Sequence, residues 1–445
     1  HDGGTSWTEI VTGIPNGETV NAVREDPRRK GLLFAGTERA VYVSFDDGGH
    51  WQPLRLNMPA SSVRDLIVKD DDVVAATHGR GFWILDDITP LRQIDTASAA
   101  KDAILFEPTT AWRVRWNTST DMPWPKEEPT GANPPDGAAV DYYLKSAASG
   151  LVTLEIHRAD GRLVRRYSSD DPVTPIPDAK NASVPLYWYR QPQALSTASG
   201  MHRFMWDVHY QPIAGAAGGG RGGLPIQGIP YNSPSGATTP WVSPGTYTVT
   251  LTAGGRSHSQ PITVKQDPRV TTPAAVMQQV YALTDAMYFG AVEAQAAAAE
   301  LSALREQASK IQAQGPAAQA LAAFVQKATA LEGQRPAAGA GGGRGAMGGG
   351  RGEVAAPAAP NSLWVVSTSL ASQMNAMQAA DVAPTANTLA AVTAVLTAGD
   401  DVMARWASLK TVDLPALNAT LKAAGLPGIG AGSGGGAVPH SLRGL

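Results

Sequence analysis

The segment Ser44-Phe45-Asp46-Asp47-Gly48-Gly49-His50-Trp51 has a counterpart 44 residues upstream, where Asp2-Gly3-Gly4-Thr5-Ser6-Trp7 repeats its Asp, Gly and Trp positions. Each residue type has a mechanical reason to be there. A short Asp side chain accepts hydrogen bonds from the amides that follow it, glycine supplies positive φ, and Trp anchors the turn on an apolar surface. Between the copies lie the strand-like runs Thr19 to Val23, Leu32 to Ala35 and Ala40 to Ser44, each bounded by Gly, Asp or Pro. A further unit follows in Val63 to Val68, Val73 to Thr77 and Gly81 to Leu85. Repeats of about 40 to 50 residues with one turn motif each fit four-stranded propeller blades.

Outward from that turn, residues 104 to about 267 change character. Val140 to Leu144, Leu151 to Ile156 and Leu163 to Tyr167 are strands separated by tight turns, with Val152, Leu154 and Ile156 on one face and Thr153, Glu155 and His157 on the other. Further strands are expected at His202 to His209, Thr246 to Thr252 and Ser257 to Val264, which together argue an immunoglobulin-like β-sandwich. Its insertions at 117–139, 168–200 and 211–243, rich in Pro, Gly and Ser, read as surface loops.

Residues 272–332 and 360–425 read as helical, with Thr272 as N-cap and Pro273 at the first helical position. Val276, Val280, Leu283, Met287, Gly290, Ala294, Ala297, Leu301, Leu304, Ala308 and Ile311 form a seam of alternating three- and four-residue steps. Such a seam packs helix on helix, as an antiparallel bundle or long hairpin, and also suits a homo-oligomer through the helices. The expected organisation is therefore multidomain, mainly β with a C-terminal α part. It comprises incomplete propeller blades over 1–99, a sandwich over 100–268, and a helical module over 269–427 interrupted by a Gly-rich linker at 333–359. A disordered tail over 428–445 completes it.

Ser44 to Trp51 looks like the Asp-box, S-x-D-x-G-x-T-W, with His50 in place of the usual Thr or Ser. The run Thr77-His78-Gly79-Arg80-Gly81-Phe82-Trp83-Ile84-Leu85-Asp86-Asp87 is similar to the closing blade of large bacterial sortilin-like, Asp-box (BNR-repeat) propeller proteins, often labelled glycosyl hydrolases. Phe204-x-Trp206-Asp207 and Pro244-Gly245-Thr246-Tyr247 resemble the Ig-like domain behind such propellers. The resemblance implies the C-terminal portion of a secreted or periplasmic protein, whose partners are upstream blades of the parent chain and a peptide or glycan ligand. It implies binding and scaffolding, or else a glycoside hydrolase whose catalytic carboxylates lie in other blades.

Composition sets outer bounds. The 445 residues contain no cysteine, which excludes a disulfide-stapled or zinc-thiolate protein. With 36 basic and 39 acidic side chains, no global field draws the chain toward nucleic acid. No run of about 18 apolar residues predicts a membrane span. The chain starts at His1 without a basic n-region or an apolar h-region, as a processed or truncated product would. Gly218 to Gly223 and Gly341 to Gly352 are arginine-containing glycine runs without aromatics, so a loop and a linker are expected there rather than single-strand binding.

The chemistry offered is sparse. Asp2, Gly4, Trp7, Asp46, Gly48 and Trp51 read as structural Asp-box positions, because a carboxylate that ties a turn is held ionised. His78 and Arg80 between glycines, with Asp86 and Asp87, form the candidate ligand-binding set: an Arg fork suits carboxylates or sugar hydroxyls, and paired Asp side chains suit Ca²⁺. Asp207 and His209 at i and i+2 begin a metal site but lack a third ligand, so no metal and no cofactor is assigned. No catalytic residue is identifiable.

Overall fold

The computed structural model describes residues 3–95, 97–115, 137–173, 176, 178–180, 182, 185–213, 239–335 and 361–430. Asp2, both arginine-containing glycine runs, most of the linker, most of the tail and much of the 117–139 and 211–243 insertions lie outside the described residues. The architecture is multidomain, mainly β with C-terminal helices.

Two antiparallel sheets come first. β1 (Val20–Glu25), β2 (Leu33–Thr37), β3 (Val41–Ser44) and β4 (Gln52–Pro53) pair in sequence order, as do β5 (Val63–Lys69), β6 (Asp72–Thr77) and β7 (Phe82–Leu85). Strands β2 and β3 are buried on both faces, which is why they read as continuous apolar runs rather than alternating ones. Phe34, Val41 and Val43 face Val63 and Leu66 of the second sheet, while Ala35, Tyr42 and Trp51 form a separate cluster on the other face. At Gly36 a Cβ would lie 2.7 Å from the Val63 side chain, so the close approach of the sheets requires glycine there. The short helix α1 (Thr89–Arg92) closes this part through Arg92, whose Nε donates to the buried Asp26 carboxylate at 3.0 Å.

A second pair of sheets follows, built from β8 (Ala103–Leu105), β9 (Ala111–Arg113), β10 (Ala138–Leu144), β11 (Thr153–Arg158), β12 (Leu163–Ser168), β13 (Gly200–Trp206), β14 (Gly245–Ala253) and β15 (Arg256–Gln266). One sheet has the order β13-β10-β8, the other β12-β11-β14-β15-β9, with β9 parallel to β15. Alternate residues fill the space between them: Val140, Tyr142 and Leu144 from the first, Leu154, Ile156, Val249 and Leu251 from the second, with Trp206 fully buried. Two expectations are corrected here. The strand from 202 stops at Trp206, because Val208 takes φ +52°, a conformation no strand continues through. The 168–200 insertion is not all surface, since Trp188, Tyr189 and Leu195 are buried; large aromatic and aliphatic side chains within a polar stretch pull the backbone inward.

The helices are α2 (Ala274–Ser309), α3 (Gly315–Glu332), α4 (Leu363–Met377), α5 (Ala386–Ser408) and α6 (Leu414–Ala423), the last two joined by a π turn at Leu409–Asp413 where Pro415 removes an amide donor. The expected seam of α2 is buried from Met287 to Ala308, with Val280 buried and Leu283 half-buried before it, and Gly290 lets the Leu370 side chain of α4 come within 3.2 Å of where a Cβ would stand. A second stripe faces the sandwich: Tyr281 donates to Gln266 Oε1 at 2.6 Å and Tyr288 to the Gln211 carbonyl at 2.8 Å. Thr272 does not cap α2. Pro273 takes the N-cap position, and the Thr272 hydroxyl donates instead to the Asp381 carbonyl at 2.6 Å.

Asp381, in the turn between α4 and α5, is the clasp between helices and sandwich. Its carboxylate accepts from Arg113 on β9, pairs with Arg115 Nε at 3.0 Å and accepts from Gln266 Nε2 at 3.3 Å. The Arg113 guanidinium lies 4.7 Å from the Tyr281 ring centroid and 5.3 Å from that of Trp241, and burial pulls its pKa down. Replacing Asp381 by Ala leaves the buried Arg113 guanidinium without its carboxylate, so thermal or urea unfolding should show a loss of about 3 to 5 kcal/mol.

Candidate functional site

The Ser44–Trp51 segment occupies the β3–β4 connection, and its geometry explains each residue. Asp46 Oδ1 accepts from the His50 amide at 2.8 Å and from Ser44 Oγ at 2.8 Å, while Oδ2 meets His50 Nδ1 at 2.7 Å. Ser44 Oγ accepts from the Gly48 amide at 2.9 Å, and Asp47 and Gly48 supply the positive φ values the turn needs. His50, the departure from the motif, adds its imidazole to the carboxylate, and that bond is the main reason the Asp46 pKa falls to about 2. Trp51 is buried and donates from Nε1 to the Ile10 carbonyl at 2.7 Å. At Gly13, with φ +100°, a Cβ would stand 2.1 Å from the Trp51 carbonyl oxygen, so the strap 10–14 lies directly on the box.

The upstream copy differs. Gly4 keeps a turn at φ +85° and the Trp7 indole donates to the Gly4 carbonyl at 3.1 Å, but Trp7 is 90% exposed and residues 3–18 contain no strand. The anchoring expected of Trp7 is absent because no sheet lies under it.

The ligand-binding set divides along β7. His78 and Arg80 sit exposed in the β6–β7 turn, whereas Asp86 and Asp87 follow the other end of that strand, about 20 Å from Arg80 at ~3.3 Å per residue. The Asp pair faces the sandwich. Arg203 of β13 donates to the carbonyls of Asp86 and Asp87, each at 2.7 Å, while holding the buried Asp141 carboxylate through Nε at 2.9 Å. The Asp87 side chain accepts from Thr109 Oγ1 at 2.9 Å and from the Thr89 amide at 3.1 Å. Burial, reinforced by Asp72, pushes the Asp86 carboxyl up, against the pull of Arg203. These residues form a joint between the N-terminal sheets and the sandwich, a role their spacing in sequence did not signal.

Asp207 and His209 form a local turn. The Asp207 carboxylate accepts from the His209 amide at 3.1 Å, and His209 Nδ1 donates to the Asp207 carbonyl at 2.7 Å, with the ring 4.2 Å from that of Trp241. Burial lowers the imidazole pKa. Among the described residues no group of three His, Asp or Glu side chains converges to hold a metal ion.

What the fold does assemble is a polar rim where the two N-terminal sheets meet. Glu38 Oε1 accepts from Asn21 Nδ2 at 3.0 Å and from Arg64 Nη1 at 3.0 Å; Asn21 also bridges to the Val63 carbonyl at 3.0 Å, and Arg64 Nη2 lies 3.4 Å from His78 Nδ1. Asn21 comes from β1, Glu38 from the β2–β3 turn, Arg64 from β5 and His78 from the β6–β7 turn. Only His78 of these was singled out from the sequence, because the rest are ordinary polar residues until two sheets bring them together. Beside the β14–β15 turn, Lys101, Ser146, His258 and the ion pair Asp102–Arg256 at 3.1 Å line an open groove of about 660 Å³.

No protein-family model matches the chain, and no curated protein matches it.

The Asp46 carboxylate is more acidic folded than unfolded, so its contribution is present above the unfolded pKa near 4 and is lost as pH falls toward about 2. Asp46→Ala should lower stability by about 1 kcal/mol at neutral pH, the worth of an exposed turn bond, in chemical denaturation. The gap from the wild type should close below pH 2.

Proposed function

We propose that the chain is a ligand-binding and scaffolding module. The two N-terminal sheets are blades of an Asp-box propeller, β8–β15 form an immunoglobulin-like sandwich, and the helices brace it. The geometry of the Ser44–Trp51 turn between β3 and β4, and the packing of β1 and β2 against β5, support the blade reading. In this reading the protein works outside the cytoplasm and takes a peptide or glycan.

The observation that carries the binding role is the rim of Asn21, Glu38, Arg64 and His78. Donors and acceptors from four segments are held in one hydrogen-bonded array, with Arg64 and His78 exposed and Asn21 and Glu38 half-buried, before any ligand arrives, which lowers the ordering cost of recognising hydroxyl or carbonyl groups. The Asp46 and Asp87 carboxylates serve the fold instead. A glycosidase needs an acid and a base or nucleophile flanking one bond, and Asp46, bonded within its own turn and held ionised, supplies no proton.

Titration of the purified protein against glycan and peptide arrays tests this. Saturable binding is expected, weakened about tenfold by Arg64→Ala or His78→Ala with the melting temperature kept. Cleavage of a glycosidic bond, or binding indifferent to both substitutions, would overturn it.

A further inference from the structure

The second N-terminal sheet ends at β7, and among the described residues no strand pairs with its outer side. The Thr77 amide donates to the Gly81 carbonyl at 3.0 Å, which makes Thr77 and Gly81 a hydrogen-bonded pair of the β6–β7 ladder. Bonded and non-bonded pairs alternate along antiparallel strands. Trp83 and Leu85, opposite Ala75 and Val73, therefore turn their backbone groups toward β6, and Phe82 and Ile84 turn theirs outward. Side chains follow the same alternation. Trp83 and Leu85 pack on the core between the N-terminal sheets, while Phe82 is 77% and Ile84 57% exposed. An unpaired edge carrying apolar side chains is a template for another strand.

The charges at the two ends of β7 say which strand fits. Arg80 is exposed and has no ion pair among the described residues; the Asp86 carboxylate, half-buried and in the field of Arg203, forms no hydrogen bond or close ion pair there. A strand lying antiparallel to this edge must carry a base near its own start, apolar residues at two alternate positions and an acid near its end. Arg80-Gly81-Phe82-Trp83-Ile84-Leu85-Asp86 has that pattern itself. With Trp83 of one copy opposite Trp83 of the other, Phe82 meets Ile84, Ile84 meets Phe82, and Arg80 falls opposite Asp86 on both sides of the two-fold axis. A slip of one residue sets outward backbone groups against inward ones, so charge, apolar contact and hydrogen bonding select the same register.

We propose that the open edge of β7 is a homodimer contact, in which two copies of this chain join their second sheets through antiparallel pairing of Phe82 and Ile84, with reciprocal Arg80–Asp86 ion pairs. The other edge strand of that sheet, β5, already lies against β1 and β2, so among the described residues an isologous pairing uses the free edge of this sheet in each copy and closes at two. The contact is small, which makes the association reversible. It does not draw on the assignment of the ligand rim.

Sedimentation velocity on the full chain over a concentration series should show a monomer–dimer equilibrium. Arg80→Asp and Asp86→Arg should each weaken it by about tenfold, by setting like charges opposite one another, and the double variant should recover the wild-type constant. Ile84→Pro removes an amide that points away from β6, so the sheet is kept and the dimer lost. On the unaltered protein, amide exchange at Phe82 and Ile84 should slow as concentration rises, while Trp83 and Leu85 stay protected throughout. A monomer at every concentration would overturn the proposal, as would a dimer indifferent to Arg80→Asp and Ile84→Pro, a charge swap that fails to recover, or exchange at Phe82 and Ile84 independent of concentration.

Discussion

Asp381 holds together parts of the chain that share no local reason to meet. Two arginines on and just after β9, a glutamine at the end of β15 and, through its carbonyl, the threonine before α2 all converge on one residue in a helix–helix turn. Isolated in a dry interface, the Arg113 guanidinium would be costly. Paired with Asp381 and stacked against Tyr281 and Trp241, it fixes how the helices sit on the sandwich. The apolar contacts on either side are non-directional and would tolerate sliding; the ion cluster sets the register.

Arg203 acts similarly at the other end. Its guanidinium spans the buried Asp141 carboxylate and two successive carbonyls after β7, so the N-terminal sheets are joined to the sandwich at Asp86 and Asp87. With that end engaged, no strand among the described residues pairs with the outer edge of β7, and the rim of Asn21, Glu38, Arg64 and His78 lies toward the exposed β6–β7 turn. Structural work falls to one end of β7 and exposure to the other.

Much of this was legible along the chain. Alternation located β10, β11, β12, β14 and β15 within a few residues, and the three-four seam of α2 is buried as spaced, because strand and helix periodicities are local consequences of backbone geometry. The Asp46 turn was readable for the same reason: the bonds of the Asp46 and Ser44 side chains all lie within residues 44–50. The strand beginning near 202 ends sooner than its pattern predicts, since nothing in that pattern announces a β-branched residue at positive φ, and Thr272 is no cap because its hydroxyl serves a carbonyl more than a hundred residues away.

Residue order alone was enough to place most of the long strands and helices, the apolar face of each, and the turn that Asp46 ties. That Asp86 and Asp87 form a joint, that Trp7 is exposed where Trp51 is buried, that Asn21, Glu38 and Arg64 gather around His78, and that Arg113 and Asp381 meet, came from the way the sheets and helices pack. Periodicity reports on neighbours a few residues apart, whereas these outcomes depend on pairings across tens to hundreds of residues, where polar side chains carry no mark of their partner until the apolar cores have placed them.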